Sequence, residues 1–230
     1  MSKYLYTKAV KGDAKALEQL LSSEQSHLYD YLLRMTGERS IDVGELSEIF
    51  SAVTPAIKKY DSFGDFRKVL YSTARKFNFQ TWNASLQHLV PEISEEDSFE
   101  LMFYGMPGNV REVTLLIHRL GFDETDAADI MEISEDELNT LLDNSRGLFL
   151  DNLEEGSTTP MTLAEAVVGL KFEQSPESEN AGTMAISQVV AAYNDRGFSL
   201  RRVPLMTIFF ALILVLVLLY FDVINLPTWN

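Results

Sequence analysis

The sequence predicts an all-α protein, and three observations support that fold class. Apolar residues recur at helical spacing in separate stretches along the first 200 residues. Glycine, proline and helix-capping residues stand where those stretches begin or end. No stretch alternates convincingly between apolar and polar side chains, as a half-buried strand would. We therefore expect helices joined by turns and linkers, without a sheet.

The first helical domain is predicted over residues 1–86. Apolar residues repeat at helical spacing through residues 2–36, and Gly37 is expected to stop that stretch. A further helix with one apolar face follows, and Pro55 bends or restarts it. A third helix places four apolar residues on one face: Phe66, Leu70, Ala74 and Phe77. Four cations are interspersed along the same helix: Arg67, Lys68, Arg75 and Lys76.

An acidic linker is predicted over residues 87–108, which contain prolines, glycines and the cluster "EISEEDSFE". Residues 109–150 then show the helix, turn, short helix, turn, helix order of a trihelical helix-turn-helix. Ser134, with Glu137 three residues later, is expected to cap the last of these helices. The carboxylates of "DETDAAD", residues 123–129, lack the glycine and the spacing of a calcium loop. We interpret them as a solvated helix face.

The remainder of the chain predicts a membrane anchor. Residues 151–202 are an acidic juxtamembrane segment with two short amphipathic stretches, near 162–170 and 186–193. Those stretches either pack on the preceding domain or dock a partner. Residues 203–223 are predicted to form a transmembrane helix, because Val203 to Phe221 are nineteen uncharged residues. As a helix they would span roughly 28 Å, close to the thickness of a hydrocarbon core. A buried core helix is the alternative.

The orientation of this anchor is predicted from its flanking charges. Arg201 and Arg202 precede the apolar stretch, and no Lys or Arg follows it. By the positive-inside rule, the N-terminal domains are expected in the cytoplasm and residues 224–230 form an external tail. The predicted localisation is the inner (cytoplasmic) membrane, crossed once, with the lipid bilayer as a partner of residues 203–223.

The net charge of −15 is unevenly distributed. Residues 1–85 hold twelve Lys and Arg against ten Asp and Glu, whereas residues 86–200 hold five against twenty-three. The second stretch is therefore expected to repel nucleic acid and membrane phosphates. The chain has no cysteine and none of the common nucleotide-binding, zinc-protease or hydrolase motifs. We expect neither an enzyme, nor a cofactor, nor a metal site.

Two blocks of the sequence carry a resemblance to a known family. The first block comprises "AVKGDAKALEQLL", "LYDYLLRMTG", "ELSEIFSAV" and "YDSFGDFRKVLYSTARKF", and the second is "REVTLLIHRLGFDETDAADIMEIS". In this order they resemble the bacterial RNA polymerase sigma factors of the extracytoplasmic-function type. The resemblance implies that residues 1–86 are similar to region 2, which holds the polymerase clamp and melts the −10 element. It implies that residues 109–150 are similar to region 4, which reads the −35 element.

The resemblance implies two sites in the first block. Glu48 and Phe50 match positions that contact the polymerase clamp, although Gly44 and Ser47 stand where the family usually has Asp and Gln. The cations Arg67, Lys68, Arg75 and Lys76 match the helix that approaches single-stranded DNA, and Trp82 is a candidate for base stacking. Val69 stands where the family usually has the strand-separating Trp. A solvated helix face is the alternative interpretation of the four cations.

The second block departs further from the family. Positions that usually carry Lys or Arg against the major groove are here Asn139, Leu141, Asp143 and Asn144. Carboxylates dominate the same helix, and they would repel phosphates. We therefore expect no DNA binding by this helix-turn-helix, and we expect an acidic face for a protein partner instead. That face comprises Glu135, Asp136 and Asp143.

Two functions follow as hypotheses. The first is a membrane-tethered, divergent sigma-like transcription regulator, with RNA polymerase core as partner and weak DNA contact through residues 1–86. The alternative is a sigma-derived membrane adaptor or scaffold that binds a protein partner and has no role in transcription.

Overall fold

The computed structural model describes residues 2–36, 41, 43–85, 98–151, 162–170, 179–180 and 182–194. Within these ranges every regular element is a helix and no strand occurs, so the all-α prediction is confirmed. No helix among them is long and apolar enough to cross a membrane. Residues 201–230, including Arg201, Arg202 and the predicted transmembrane helix, lie outside the described part of the chain.

The helices follow one another with short turns. The first half of the body comprises α1 Ser2–Val10, α2 Ala14–Thr36, α3 Val43–Val53, a 3-10 helix Thr54–Lys59, and α4 Phe63–Ser85. The second half comprises α5 Ser98–Gly105, α6 Gly108–Thr114, a π-helical segment Leu115–Arg119, α7 Glu124–Met131 and α8 Glu135–Asp151. Two further helices follow, α9 Leu163–Gly169 and α10 over residues 182–194.

Local sequence sets several of these boundaries, and those at Pro55 and Ser134 are as predicted. Pro55 stands at the start of the 3-10 helix, where its missing amide proton costs little. Gly121 has a φ of 70°, a left-handed conformation that allows the chain to turn between the π-helical segment and α7. The Asp123 side chain accepts a hydrogen bond from the Asp126 amide and caps α7. Ser134 accepts one from the Glu137 amide at 3.2 Å and begins α8.

The two halves share one core. Four leucines of α2 lie in one buried cluster with Phe50 of α3 and with Phe66 and Leu70 of α4, and none of these side chains is exposed to solvent: Leu17, Leu20, Leu28 and Leu32. The core continues through aromatic contacts, since Tyr71 of α4 meets Tyr31 edge-on at 5.3 Å and Phe122 edge-on at 5.2 Å. Such pairs add to the stabilisation from buried area. The described helices therefore form one packed body rather than two independent ones.

Residues 98–105, which the sequence assigns to a linker, instead form α5. Phe103 is fully buried, and Phe99 meets Phe149 of α8 edge-on at 5.9 Å. The Arg111 guanidinium donates a hydrogen bond to the Tyr104 carbonyl at 3.0 Å. The acidic residues before this stretch suggested a solvated linker, but the aromatic residues within the stretch pack in the core. Residues 87–97 lie outside the described residues.

The two amphipathic stretches of the juxtamembrane segment pack on the body. Thr162 and Glu165 form a reciprocal capping box at the start of α9, which packs on the π-helical segment. The buried residues of α10 include Ala185, Ile186 and Val189. The first stretch therefore packs on the preceding domain as predicted, whereas the hydrogen bonds of α10 reach the first helical domain instead.

Candidate nucleic-acid and partner interfaces

Helix α4 turns its apolar face to the core and its basic face to other helices. Phe66, Leu70 and Ala74 are fully buried as predicted, whereas Phe77 is about half exposed. The four cations project from the remaining faces, and each lies against a carboxylate of this chain. This basic face, defined by Arg67, Lys68, Arg75 and Lys76, is the site that the resemblance assigned to nucleic acid.

Lys68 is held between two carboxylates of α7. Its Nζ lies 3.0 Å from Asp126 Oδ1 and 3.0 Å from Asp129 Oδ2. The two aspartates are three residues apart, so one face of α7 presents both. Their hydrogen bonds, that of Asp129 first, raise the pKa of Lys68 above its usual value. This ammonium therefore stays charged across neutral pH.

Lys76 of α4 contacts the C-terminal end of α7. Its Nζ lies 2.6 Å from Glu132 Oε1, and both side chains are more than half exposed. The hydrogen bond from Lys76 lowers the pKa of Glu132. Glu132 occupies a left-handed conformation with a φ of 58°, which is uncommon for a residue other than glycine. This residue ends α7 and directs its carboxylate back towards α4.

Arg75 forms the most buried of these pairs. Its Nε lies 2.9 Å from Glu112 Oε1, and the same oxygen accepts the Tyr31 hydroxyl at 2.8 Å. The Glu112 side chain is only 3% exposed. Burial raises the pKa of Glu112, and the Arg75 guanidinium opposes that shift. The pair therefore joins α2, α4 and α6 at one buried point.

Arg67 bridges the two halves near the π-helical segment. Its Nε lies 3.0 Å from Glu24 Oε2, and its Nη2 donates to the Leu120 carbonyl at 3.1 Å. The guanidinium also lies over the Phe122 ring, 4.6 Å from its centroid. Arg67 would have to give up these three contacts before it could bind a phosphate.

Neither sequence interpretation of the basic face anticipated this arrangement. Each of the four cations pairs with a carboxylate of this chain; the Lys76 side chain is 64% exposed, as on a solvated face, whereas the other three are 17–26% exposed. Three of the four pair with carboxylates of the second half, and Asp126 and Asp129 belong to the "DETDAAD" stretch. The interpretation of that stretch as a solvated face is therefore wrong for Asp126, which is 29% exposed, whereas Asp129 is 60% exposed and also pairs with Lys68. Trp82 lies within α4, and its side chain is outside the described residues.

The two α3 residues that the resemblance assigned to clamp contact, Glu48 and Phe50, lie in different environments. Glu48 is exposed, whereas Phe50 is fully buried in the shared core and is not available to a partner in this structure. Ser47 donates a hydrogen bond to Gln188 Oε1 of α10 at 3.1 Å. One side of α3 is therefore covered by the chain itself.

Helix α8 presents an acidic outer side. Glu135, Asp136 and Asp143 are exposed, and Asp143 pairs with Arg146 at 3.0 Å. Leu138 and Leu142 are buried. Leu141, which the resemblance placed on the groove-facing side, is also buried, because the apolar face of α8 is wider than the periodicity indicated. Within the described ranges, no group of three or more potential ligands is arranged for a metal ion.

Comparisons with known proteins identify no relative. No family model matches the chain, and neither a curated protein nor a solved structure matches it. Membership of the sigma-factor family therefore stays a prediction from the sequence.

The signal that sequence reasoning missed was complementary charge at matching spacing. Lys68 and Lys76 lie eight residues apart on α4, and acidic residues recur three apart at positions 126, 129 and 132 of α7. Both stripes were recognised, but each was assigned to solvent or to an external ligand. Two opposite stripes of similar length on helices of one chain are candidates for pairing with each other.

Proposed function

We propose that this chain is a sigma-derived membrane adaptor that binds a protein partner and does not bind promoter DNA. The observation that supports the proposal most strongly is the pairing of every cation of the basic face with a carboxylate of the same chain. Affinity for nucleic acid derives largely from cations that displace counterions from phosphates. Cations that already neutralise carboxylates must first lose those partners, so little of that affinity is left.

The outer side of α8 is the surface we assign to the partner. Glu135, Asp136 and Asp143 make it acidic, and Leu150, 64% exposed near its end, adds apolar area. Carboxylates around an apolar contact complement a basic protein surface and repel a phosphate backbone. Residues 203–223, as the predicted anchor, would hold that partner at the membrane.

The test uses the full chain in detergent micelles. We expect no binding of duplex or single-stranded DNA at low salt, where electrostatic binding is strongest, and no retention of core RNA polymerase. In cells, crosslinking to a partner should be lost in Asp136→Lys with Asp143→Lys and kept in Glu18→Lys, a charge reversal on exposed α2 surface. Stable polymerase binding, or crosslinking unaffected by the α8 reversals, would contradict the adaptor proposal.

A second candidate, the membrane-tethered sigma-like regulator, is favoured by one observation. The pair between Lys76 and Glu132 is mostly exposed, and Lys68 with its two aspartates lies partly at the surface, so both contacts are of a kind that opens readily. Separation of α7 from α4 would free a basic face, and Glu48 is already exposed. In this function the observed arrangement is the inactive state.

One pair of variants separates the two candidates. Asp126→Asn with Asp129→Asn removes both partners of Lys68, whereas Glu135→Gln with Asp143→Asn removes the same charge from α8. The regulator requires that the first variant gain salt-sensitive binding of single-stranded DNA and that the control does not. The adaptor requires that neither variant bind DNA.

A further inference from the structure

Helix α10 lies across three helices of the first half. The Gln25 amide of α2 donates to the Glu179 carbonyl at 3.3 Å, three positions before α10 begins. The Ser47 hydroxyl of α3 bonds Gln188, and the Tyr193 hydroxyl donates to the Ala9 carbonyl of α1 at 3.1 Å. These contacts are spaced from residue 179 to residue 193, so α10 lies against α1, α2 and α3.

The two faces of α10 differ sharply. One face is buried and small or aliphatic, with Ala185, Ile186 and Val189 each 3% exposed or less. The opposite face carries Thr183, Met184 and Ser187, all exposed. A single apolar stripe of this kind attaches a helix to the body along one side only. The attachment of α10 therefore depends on this stripe and on a few side-chain hydrogen bonds.

The contact at the start of α10 depends on a glycine. A Cβ added to Gly182 would lie 1.8 Å from Gln25 Nε2 and 2.2 Å from its Cδ. Any larger residue would displace Gln25, which is itself buried and bonded to the Glu179 carbonyl. The close approach of α10 to α2 is thus built into the sequence at this position.

We infer that α10 is a releasable strap, which masks the Ser47 side of α3 and detaches while the rest of the body stays folded. A helix of this length is marginal in water without a packing surface, so detachment and loss of helical structure occur together. Elements held by few apolar contacts open at lower free energy than the core. The strap is also the last described element before the predicted anchor, so events at the membrane reach the body through it first.

Because the strap covers one side of α3, its release would change the surface that is open to a partner. The covered side of α3 adjoins exposed Glu48, and release of α10 would enlarge the surface that Glu48 offers. The inference concerns the attachment of α10 to the body, and it holds whichever partner the chain binds.

The absence of cysteine from the sequence makes thiol labelling a direct test. Three single-cysteine variants of the full chain are compared in detergent micelles: Ala185→Cys on the strap, Ala74→Cys in the core of α4, and exposed Ser51→Cys on α3. Ala185 and Ala74 are both fully buried, so labelling at either requires an opening. We expect Ala185→Cys to react at least tenfold faster than Ala74→Cys and more slowly than Ser51→Cys.

Equal rates at positions 185 and 74 would overturn the inference, because the strap would then open only with the core. If Ala185→Cys does not fold, Val189→Cys serves as the strap reporter, and the same comparison applies. In a second experiment, the strap reporter also carries Ile186→Asp, which places a charge on the buried face of α10. Met184→Asp on the exposed face is the matched control. Faster labelling with Ile186→Asp alone is expected, with the helical content of the body retained; loss of the core fold would contradict independent release.

Discussion

At the residue scale, Glu112 connects three helices, because its buried carboxylate accepts hydrogen bonds from Tyr31 of α2 and Arg75 of α4. The apolar positions of α4 and α8 follow from periodicity, because a helix returns to the same face every three or four residues. The role of Glu112 did not follow, because a lone Glu in an apolar stretch carries no sign of its partner. Its burial is explained only by Tyr31 and Arg75, which come from separate helices.

The first prediction concerns that buried carboxylate. Glu112→Ala leaves Arg75 and the Tyr31 hydroxyl without this partner inside the body, and we expect the free energy of unfolding to fall by about 3 kcal/mol. Denaturant unfolding of the variant measures the loss. Glu18→Ala, on exposed α2 surface, is the control and should change stability by less than about 0.5 kcal/mol. Similar small losses in both variants would show that the buried pair is not formed.

The second prediction concerns the apolar face of α8. Leu142→Ala removes a side chain that is 2% exposed, and we expect a loss of roughly 2–5 kcal/mol in the free energy of unfolding. Leu150→Ala on the same helix removes the same atoms from an exposed position and should cost far less. If the two variants unfold at the same denaturant concentration, the orientation of α8 is wrong.

At the element scale, helices and their ends were predictable because their signals are local. Gly121, Pro55 and the Ser134 cap each act on their own turn of the chain. The packing of α7 on α4 was not predictable in this way, since it joins Lys68 to residues more than fifty positions later. Helix α5 was missed because an acidic cluster masked its aromatic residues.

The third prediction is a pH dependence of the α4–α7 contact. Because Lys76 lowers the pKa of Glu132 below its usual 4.5, the native state binds this proton less readily than the unfolded chain does. The stabilisation is therefore present above pH 4.5 and is lost as the pH falls through the lowered value. Glu132→Gln lacks this component. The difference in the free energy of unfolding between the variant and the wild type should therefore shrink as the pH falls from 5 to about 3. A difference that stays constant over this range would exclude the ion pair as its cause.

At the scale of the whole molecule, the described helices form one body in which the acidic second half neutralises the basic face of the first. The sequence indicated this charge asymmetry but assigned the two halves to separate domains. A separation of charge along a chain is compatible with two external ligands or with one internal contact, and only three-dimensional packing decides between them. The predicted anchor belongs to the same scale, because it would place this body at the membrane.

The fourth prediction concerns that anchor. Removal of residues 203–230 should release the protein from the membrane fraction, because it removes the predicted transmembrane helix. A reporter fused after Asn230 should be active only outside the cytoplasm, given the flanking Arg201 and Arg202. A truncated chain that still sediments with membranes would contradict the single-anchor prediction.

The pairing of the basic face with α7 is tested most directly by a double-mutant cycle. Lys68→Met is combined with Asp126→Asn and Asp129→Asn, and unfolding of the full chain gives the coupling free energy. We expect a favourable coupling of about 1 kcal/mol, reduced by added salt, at a partly buried pair. The control is the same cycle at the exposed pair of Arg146 and Asp143, with Arg146→Met and Asp143→Asn. Its coupling free energy should be no more than about 0.3 kcal/mol. A Lys68 coupling no larger than this control would mean that α7 does not hold the basic face, and the internal neutralisation would be refuted.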